Sequence, residues 1–344
     1  MPATDTVRLL ITVRFEEAIL ERIRSASDRL EVLYHPAKQL GDVPEEAWTE
    51  AEILYTDGLL PDPTLAPKLR WVHVHTAGVD HVLGHPLFAD KQIVCTNASG
   101  IHATNIAEYV FMMMLAFGHR LLALLSYQRE RLWAEAERET SLVPLELRGS
   151  TLGIVGYGSI GREIAHVAQA FGMEVLAVKR NVRQPEDSGV NYVIPGTGDP
   201  EGVYFHRLYP PEALLSMVRE CDFVVVTVPL TEATRGMIDA KVLAAMKPTA
   251  YLINVSRGDV VDEEALVRAL QEGQIAGAAL DVFSTEPLPA ESPLWELPNA
   301  IISPHVAGNT TDYNEKAAHL FLENLKRYLA QEELLNRVDR ARGY

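Results

Sequence analysis

Two cysteines are all the chain has, Cys95 and Cys221, far apart along 344 residues. That scarcity excludes a disulfide framework and gives no thiolate set for a zinc site, and it fits a reducing, cytoplasmic setting. Positive charge is also short: 31 Lys and Arg face 47 Asp and Glu, a net charge of −16. Such a surface repels phosphate backbones and argues against nucleic acid as a general partner, so an anionic ligand needs a local basic site. Long apolar runs are missing too. The N-terminal stretch carries Asp5, Glu16 and Glu17 around a short apolar run, unlike a signal peptide. From Ile106 to Leu125 the chain is apolar nearly all round, but Glu108, His119 and Arg120 interrupt it. This stretch is expected to be one buried helix needing several neighbours, of which a second subunit is one.

At this length and 47% hydrophobic content the chain suits two domains with a cleft between them. Short apolar runs at Arg8–Val13, Glu31–Tyr34, Ile53–Tyr55, Trp71–His75 and Ile93–Cys95 alternate with helical or turn-forming stretches. A second round begins at Ser150–Val155 and continues with strands at Glu174–Val178, Asp222–Val228, Ala250–Val255, Gly277–Leu280 and Ala300–Ile302. Helices are expected at Arg162–Phe171, Pro211–Arg219 and Glu263–Glu272. This βαβ rhythm predicts an α/β protein of two Rossmann-like domains with parallel sheets, the second doubly wound. A last helix, about Asp312–Ala330, is expected to return to the first domain. The expected boundaries are 1–100 plus 309–344 for a substrate domain and 101–308 for a dinucleotide-binding domain, with two chain crossings. Asn181–Pro210, rich in Gly and Pro, is left as a long loop, functional or merely tolerated.

Gly156, Gly158 and Gly161 form a G-x-G-x-x-G, with Ser159 and Ile160 inside it, that follows an apolar strand and opens an amphipathic helix. The first glycine permits the tight turn, the second lets a pyrophosphate approach the backbone, and the third lets helix and strand pack closely. About 20 residues on, where an NAD enzyme of this fold places an acid for the ribose 2′-hydroxyl, stand Lys179 and Arg180. A basic pair attracts a 2′-phosphate, so NADP is expected ahead of NAD.

Arg257, Glu286 and His305 each stand just beyond a predicted strand end, where an open α/β sheet borders its ligand crevice. Arg257 offers a fork of donors for a carboxylate. His305 can protonate a carbonyl oxygen as hydride reaches its carbon, and Glu286, by hydrogen-bonding the imidazole, favours its charged form. A rival cluster, His73, His75, His81 and His85, has metal-ligand residue types, but no thiolate accompanies it and Asp80 is the only nearby acid. No metal is expected, and these imidazoles are read as the exposed lining of a polar cleft edge.

In this order, the G-x-G-x-x-G unit, the S-R-G-x-x-V-D-E segment from Ser256, the D-V-F-x-x-E-P segment from Asp281 and the P-H-x-A-G segment from Pro304 resemble the D-2-hydroxyacid dehydrogenase family. The resemblance spans roughly Ala77 to Gly308. It implies a flavodoxin-like substrate domain and NAD(P)-dependent interconversion of a 2-oxo acid and a D-2-hydroxy acid, of the glyoxylate or hydroxypyruvate reductase kind. It assigns the substrate carboxylate to Arg257 and acid/base work to Glu286 and His305. Asp281 is then expected at the nicotinamide amide, Val228, Val255 and Gly308 beside the cofactor, and Ala77, Gly78 and Val79 at the substrate. The apolar helix is expected at a homodimer contact. Formate dehydrogenase, which has Gln where this chain has Glu286, fits less well. Phosphite oxidation and a dinucleotide-sensing corepressor share the three residues and stand as alternatives.

Overall fold

The computed structural model describes residues 6–187 and 189–343. The chain divides into two compact units: Met1–Ile101 with Ser188–Ile194 and Thr310–Tyr344, and His102–Asp187 with Pro195–Asn309.

In the first unit five parallel strands, β1 (Val7–Ile11), β2 (Leu30–Tyr34), β3 (Ile53–Thr56), β4 (Trp71–Val74) and β5 (Val94–Asn97), lie in the order β2-β1-β3-β4-β5. That is the flavodoxin-like order. Helices α1 (Glu17–Arg24), α2 (Glu45–Glu50) and α3 (Pro86–Ala89) connect them. Because side chains alternate across a strand, Leu9, Ile11, Ile53 and Tyr55 face one way with Phe321 and Leu325. Leu10, Leu54 and Val72 face the other with Trp48 and Phe88. With both faces covered, the strands are continuously apolar.

The second unit opens with α4 (Ala103–Gly118) and α5 (Leu121–Glu130). Its sheet is built from β6 (Thr151–Val155), β7 (Glu174–Val178), β8 (Arg207–Tyr209), β9 (Phe223–Val226), β10 (Tyr251–Asn254), β11 (Gly277–Leu280) and β12 (Ala300–Ile302). Helices α6 (Ser159–Phe171), α7 (Leu214–Val218), α8 (Ala240–Ala245) and α9 (Glu263–Gln271) cover it, and α10 (Tyr313–Leu329) belongs to the first unit. The strand order is β12-β11-β10-β9-β6-β7-β8, all neighbours parallel, so the winding reverses at β6. In an open sheet that reversal leaves a crevice at the carboxyl ends, where the glycine motif follows β6.

Three expectations need correction. The apolar stretch Ile106–Leu125 is not one helix: α4 and α5 meet at a 62° bend, with Arg120 at φ +56°. The break has a local cause. A continuing helix needs the Gly118 carbonyl for residue 122, but the Leu145 amide takes it at 2.8 Å. Beyond the bend α5 buries nothing and exposes Leu121, Leu124 and Leu125, while α4 is largely buried. Among the described residues no single helix is long and apolar enough to cross a membrane.

The stretch Asn181–Pro210 is not structureless either. It supplies β8, the edge strand on β7, and residues 189–194 count with the first unit, so the chain crosses between units four times and not twice. There the Tyr192 amide donates to Asn336 Oδ1 at 2.7 Å, and the Asn336 amide donates to Val190 O at 2.9 Å.

The histidines are not an exposed row. His73, on β4, is fully buried and His75, just beyond the strand, nearly so, both packed against the Tyr55 ring, while His81 is exposed. Burial pushes the His73 imidazole down to about 3, and its Nδ1 lies 2.8 Å from Thr96 Oγ1.

Candidate active site

The second unit's sheet brings the sequence-distant residues to one edge. Strands β10, β11 and β12 are consecutive neighbours, and Asn254, Leu280 and Ile302 pair in register at their ends. The residues that follow, Val255 to Arg257, Asp281 to Glu286 and Ser303 to His305, therefore emerge side by side. His305 Nδ1 lies 2.8 Å from Glu286 Oε2, and the other carboxylate oxygen accepts the Phe283 amide at 3.0 Å. An ionised carboxylate only accepts, so Nδ1 carries the hydrogen and Nε2 is the nitrogen left for chemistry.

Arg257 is half-buried and donates to its neighbour's carbonyl, Ser256 O, at 2.8 Å. Its turn is pressed against the Glu286 loop. A Cβ at Gly258 would sit 1.8 Å from the Phe283 carbonyl carbon, so only glycine allows the approach. Asn254 fixes the same turn, accepting from the Ser256 amide and donating to Arg257 O at 3.1 Å each.

The His305 loop is braced from beneath. Asp281, 2% exposed, accepts from Ser303 Oγ at 2.5 Å, Val306 N at 2.9 Å and Ala307 N at 2.8 Å, and its carbonyl accepts the His305 amide at 2.9 Å. Since the Ser303 hydroxyl is spent on Asp281, Tyr109 OH, 2.6 Å away, is the donor to Ser303. Burial first, then Asp281, raises that phenol to about 12. Asn105 donates to Ala307 O at 3.2 Å, and His102 Nδ1 lies 3.0 Å from Gly308 O. These residues of α4 and its N-terminal cap escaped the sequence reading because an apolar helix gives no sign of which polar positions face a loop.

The glycine motif fits a dinucleotide. Gly156 has φ +111°, and a Cβ there would lie 2.9 Å from Val228 Cγ1. At Gly161 it would lie 2.1 Å from Gly156 O. Both glycines answer to the protein's own packing. Gly158 does not: a Cβ there would meet no protein atom within 4 Å, so the space is open to something else. No side chain caps α6 at Gly158, and its first-turn N–H groups suit a pyrophosphate.

The family model for the D-isomer specific 2-hydroxyacid dehydrogenase, NAD binding domain, matches residues 111–307. The chain belongs to that family. A glyoxylate reductase of Korarchaeum cryptofilum is 38% identical over 276 residues, 78% of this chain and 77% of the relative. A crystal structure of a family protein from Aeromonas salmonicida superimposes with TM-score 0.79 at 32% identity, covering 97% of this chain and 99% of the other. An NADPH-dependent glyoxylate/hydroxypyruvate reductase of Sinorhizobium meliloti, solved with NADP and malonate, gives TM-score 0.72 at 31% identity and 98% coverage of each. This dehydrogenase is thus a nicotinamide-dinucleotide-dependent oxidoreductase of 2-hydroxy acids.

Within the dehydrogenase, Lys179 and Arg180 directly follow β7, the first half-buried and the second exposed. The Lys179 ammonium lies 3.5 Å from Pro185 O, and burial, then Arg162, lowers its pKa. Arg162, in the first turn of α6, is itself buried over the Tyr157 ring and donates to Pro185 O and Asp199 O. Val255 is buried, and Val228 packs on Gly156. In the first unit, Ala77 and Gly78 follow β4, partly accessible, with Val79 buried. Asn97 Nδ2 donates to Ala77 O at 2.8 Å, and Thr76 Oγ1 donates to Gly78 O at 2.9 Å. Among the described residues no group of three or more His, Cys, Asp or Glu is arranged to hold a metal ion.

Proposed function

We propose that this dehydrogenase reduces a small 2-oxo acid of the glyoxylate and hydroxypyruvate kind to the D-2-hydroxy acid. The observation that carries the reading is the His305–Glu286 pair at 2.8 Å on the edge that also bears Arg257. Arg257 clamps the substrate carboxylate through its planar fork, and the backbone at Ala77, Gly78 and Val79 approaches the substrate, as the resemblance implies. His305, its Nδ1–H held by Glu286, gives the Nε2 proton to the carbonyl oxygen and takes it back in the reverse direction. Asp281 keeps the His305 loop in place, a positioning role beside the amide contact that the resemblance implies. The nicotinamide dinucleotide, when bound, supplies or accepts the hydride. Gly156, Gly158, Ser159, Ile160 and Gly161 would hold its pyrophosphate, with Val228, Val255, Asp281 and Gly308 toward its other end. Lys179 and Arg180, where an acid would repel a 2′-phosphate, favour NADP over NAD.

The working form is a homodimer. Its contact covers the exposed apolar side chains of α4, α5 and the segment beyond: Met112, Leu121, Leu124, Leu132 and Trp133, the last 81% exposed. The scarcity of cysteine, with Cys95 and Cys221 both buried and free, supports a reducing, cytoplasmic setting.

The test is a panel of 2-oxo acids assayed with both reduced dinucleotides, alongside His305→Ala. Loss of the proton donor lowers the reductive rate by about 10² to 10⁴ while dinucleotide binding persists. A His305→Ala variant within a few-fold of the parent removes His305 from the chemistry.

A further inference from the structure

The carboxyl edge of the first unit's sheet carries an acid that the reaction does not use. Strands β3 and β4 are neighbours with Thr56 opposite Val74, so Asp57 and His75 leave the sheet side by side. Thr56 Oγ1 accepts the amides of Gly58 at 3.2 Å and Leu59 at 2.9 Å, which fixes the turn containing Asp57. That turn touches the loop after β4. A Cβ at Gly58, where φ is +109°, would lie 2.9 Å from both Cδ2 and Nε2 of His81. The same loop contains Ala77, Gly78 and Val79, and the Val82 amide closes it onto Val79 O at 3.0 Å.

Asp57 is solvent-exposed, and among the described residues it accepts no hydrogen bond and forms no ion pair with Lys or Arg. Among the groups that feel its charge are His81, Tyr55 and Tyr313. Tyr313 donates to His75 O at 3.0 Å with its ring 4.9 Å from the His75 ring, and Tyr55 OH lies 2.7 Å from His75 Nδ1. The residue as a whole is exposed, but its carboxyl is partly desolvated, which raises it from the ordinary carboxylate range, with His81 drawing it back. The Asp57 carboxylate is thus an acceptor without a partner, fixed on a short turn that abuts the loop carrying Ala77, Gly78 and Val79.

We propose that Asp57 sets side-chain specificity: it accepts a hydrogen bond from a 2-oxo acid whose side chain bears a hydroxyl, and it repels one whose side chain ends in a second carboxylate. This rests on the reading that Ala77, Gly78 and Val79 receive the substrate. A site built to accept a hydroxyl favours the hydroxylated acid, and a fixed like charge supplies the repulsive half of the discrimination. Two carboxylates at close range in a partly desolvated site repel strongly enough to change relative rates by a factor of ten or more.

The experiment compares kcat/KM for hydroxypyruvate, glyoxylate and oxaloacetate in the unmodified enzyme, Asp57→Asn and Asp57→Ser. Asn keeps an acceptor and removes the charge, and Ser guards against a folding fault peculiar to Asn. The unmodified enzyme is expected to favour hydroxypyruvate over oxaloacetate by about 100-fold. Both variants are expected to narrow that ratio by about tenfold or more, through a gain for oxaloacetate relative to glyoxylate. An enzyme that reduces glyoxylate but whose ratio moves less than twofold in both variants, or that prefers oxaloacetate from the start, overturns the role of Asp57 and leaves the reductase reading intact. An enzyme that reduces none of the three with either dinucleotide overturns that reading, and the role of Asp57 with it.

Discussion

Replacing Asp281 by Asn changes one atom in bulk and tests what holds His305 in place. The carboxylate accepts from Ser303 Oγ and Val306 N on Oδ1 and from Ala307 N on Oδ2, all in a nearly solvent-free position. An amide oxygen can keep the first two contacts. Its NH2 then faces the Ala307 N–H, donor against donor, and the charge that strengthened all three bonds is gone. One lost charge-assisted bond is worth about 1.5–3 kcal/mol and a buried unsatisfied amide about 1–3 kcal/mol, so a net loss of about 2–4 kcal/mol is expected after partial relaxation. In a unit of this size that lowers the thermal midpoint by roughly 5–15 °C. Because the loop also carries His305, whose amide donates to Asp281 O, kcat is expected to fall by about 10²-fold, the cost of a misplacement near 1 Å. Thermal unfolding followed by near-ultraviolet circular dichroism, single-turnover rates and a fluorescence titration with reduced dinucleotide read the three effects separately. A variant that melts within about 1 °C of the parent, keeps its kcat and binds the dinucleotide tenfold more weakly would refute the bracing argument. In that case the carboxylate serves the nicotinamide amide.

Arg257→Lys is expected to raise the KM for the best oxo acid by at least about tenfold, since a point charge on a flexible stem cannot reproduce a bidentate clamp; an unchanged KM moves the carboxylate site elsewhere. Lys179→Asp with Arg180→Ala is expected to narrow or reverse a preference for NADPH, measured as kcat/KM with each reduced dinucleotide at fixed salt because a phosphate contact is partly screened. Equal use of NADH by the unmodified enzyme refutes the basic-pair argument without touching the family assignment.

How far the sequence carried each part follows from where its determinants lie. The parallel sheets were legible because their strands are buried on both faces and are written as short apolar runs. The glycine motif was legible because its requirements, a φ of +111° at Gly156 and a contact that forbids a Cβ at Gly161, are met within a few residues. The bend at Arg120 was not, because it depends on a hydrogen bond from Leu145 to Gly118, and no local signal marks that partner. Nor was the crossing at 189–194, whose anchors at Asn336 lie far along the chain. His73 misled for a third reason. A polar residue type suggested exposure, but Thr96 Oγ1 meets its Nδ1, and the rings of Tyr55 and Phe321 pack around it with its Nε2 buried and unpartnered.

The convergence at the active edge shows what a sequence can convey about a site without any contact being visible in it. Arg257, Glu286 and His305 are distant from one another, yet each follows its own strand, and β10, β11 and β12 are laid down in order as neighbours. Once right-handed crossovers place successive parallel strands side by side, the residues after their ends must meet. What the order of strands cannot supply is the fine geometry, and here that comes from outside the motifs. Gly258 admits the Phe283 backbone, Asp281 spends its carboxylate on the loop of His305, and Tyr109 and Asn105 of α4, with His102 just before it, hold that loop. The same α4 leads at its far end into α5 with its exposed leucines, so the homodimer contact proposed above would adjoin the helix that braces the His305 loop. Changes at that surface are therefore expected to reach kcat through the loop, and to do so without altering Arg257 or Glu286 directly.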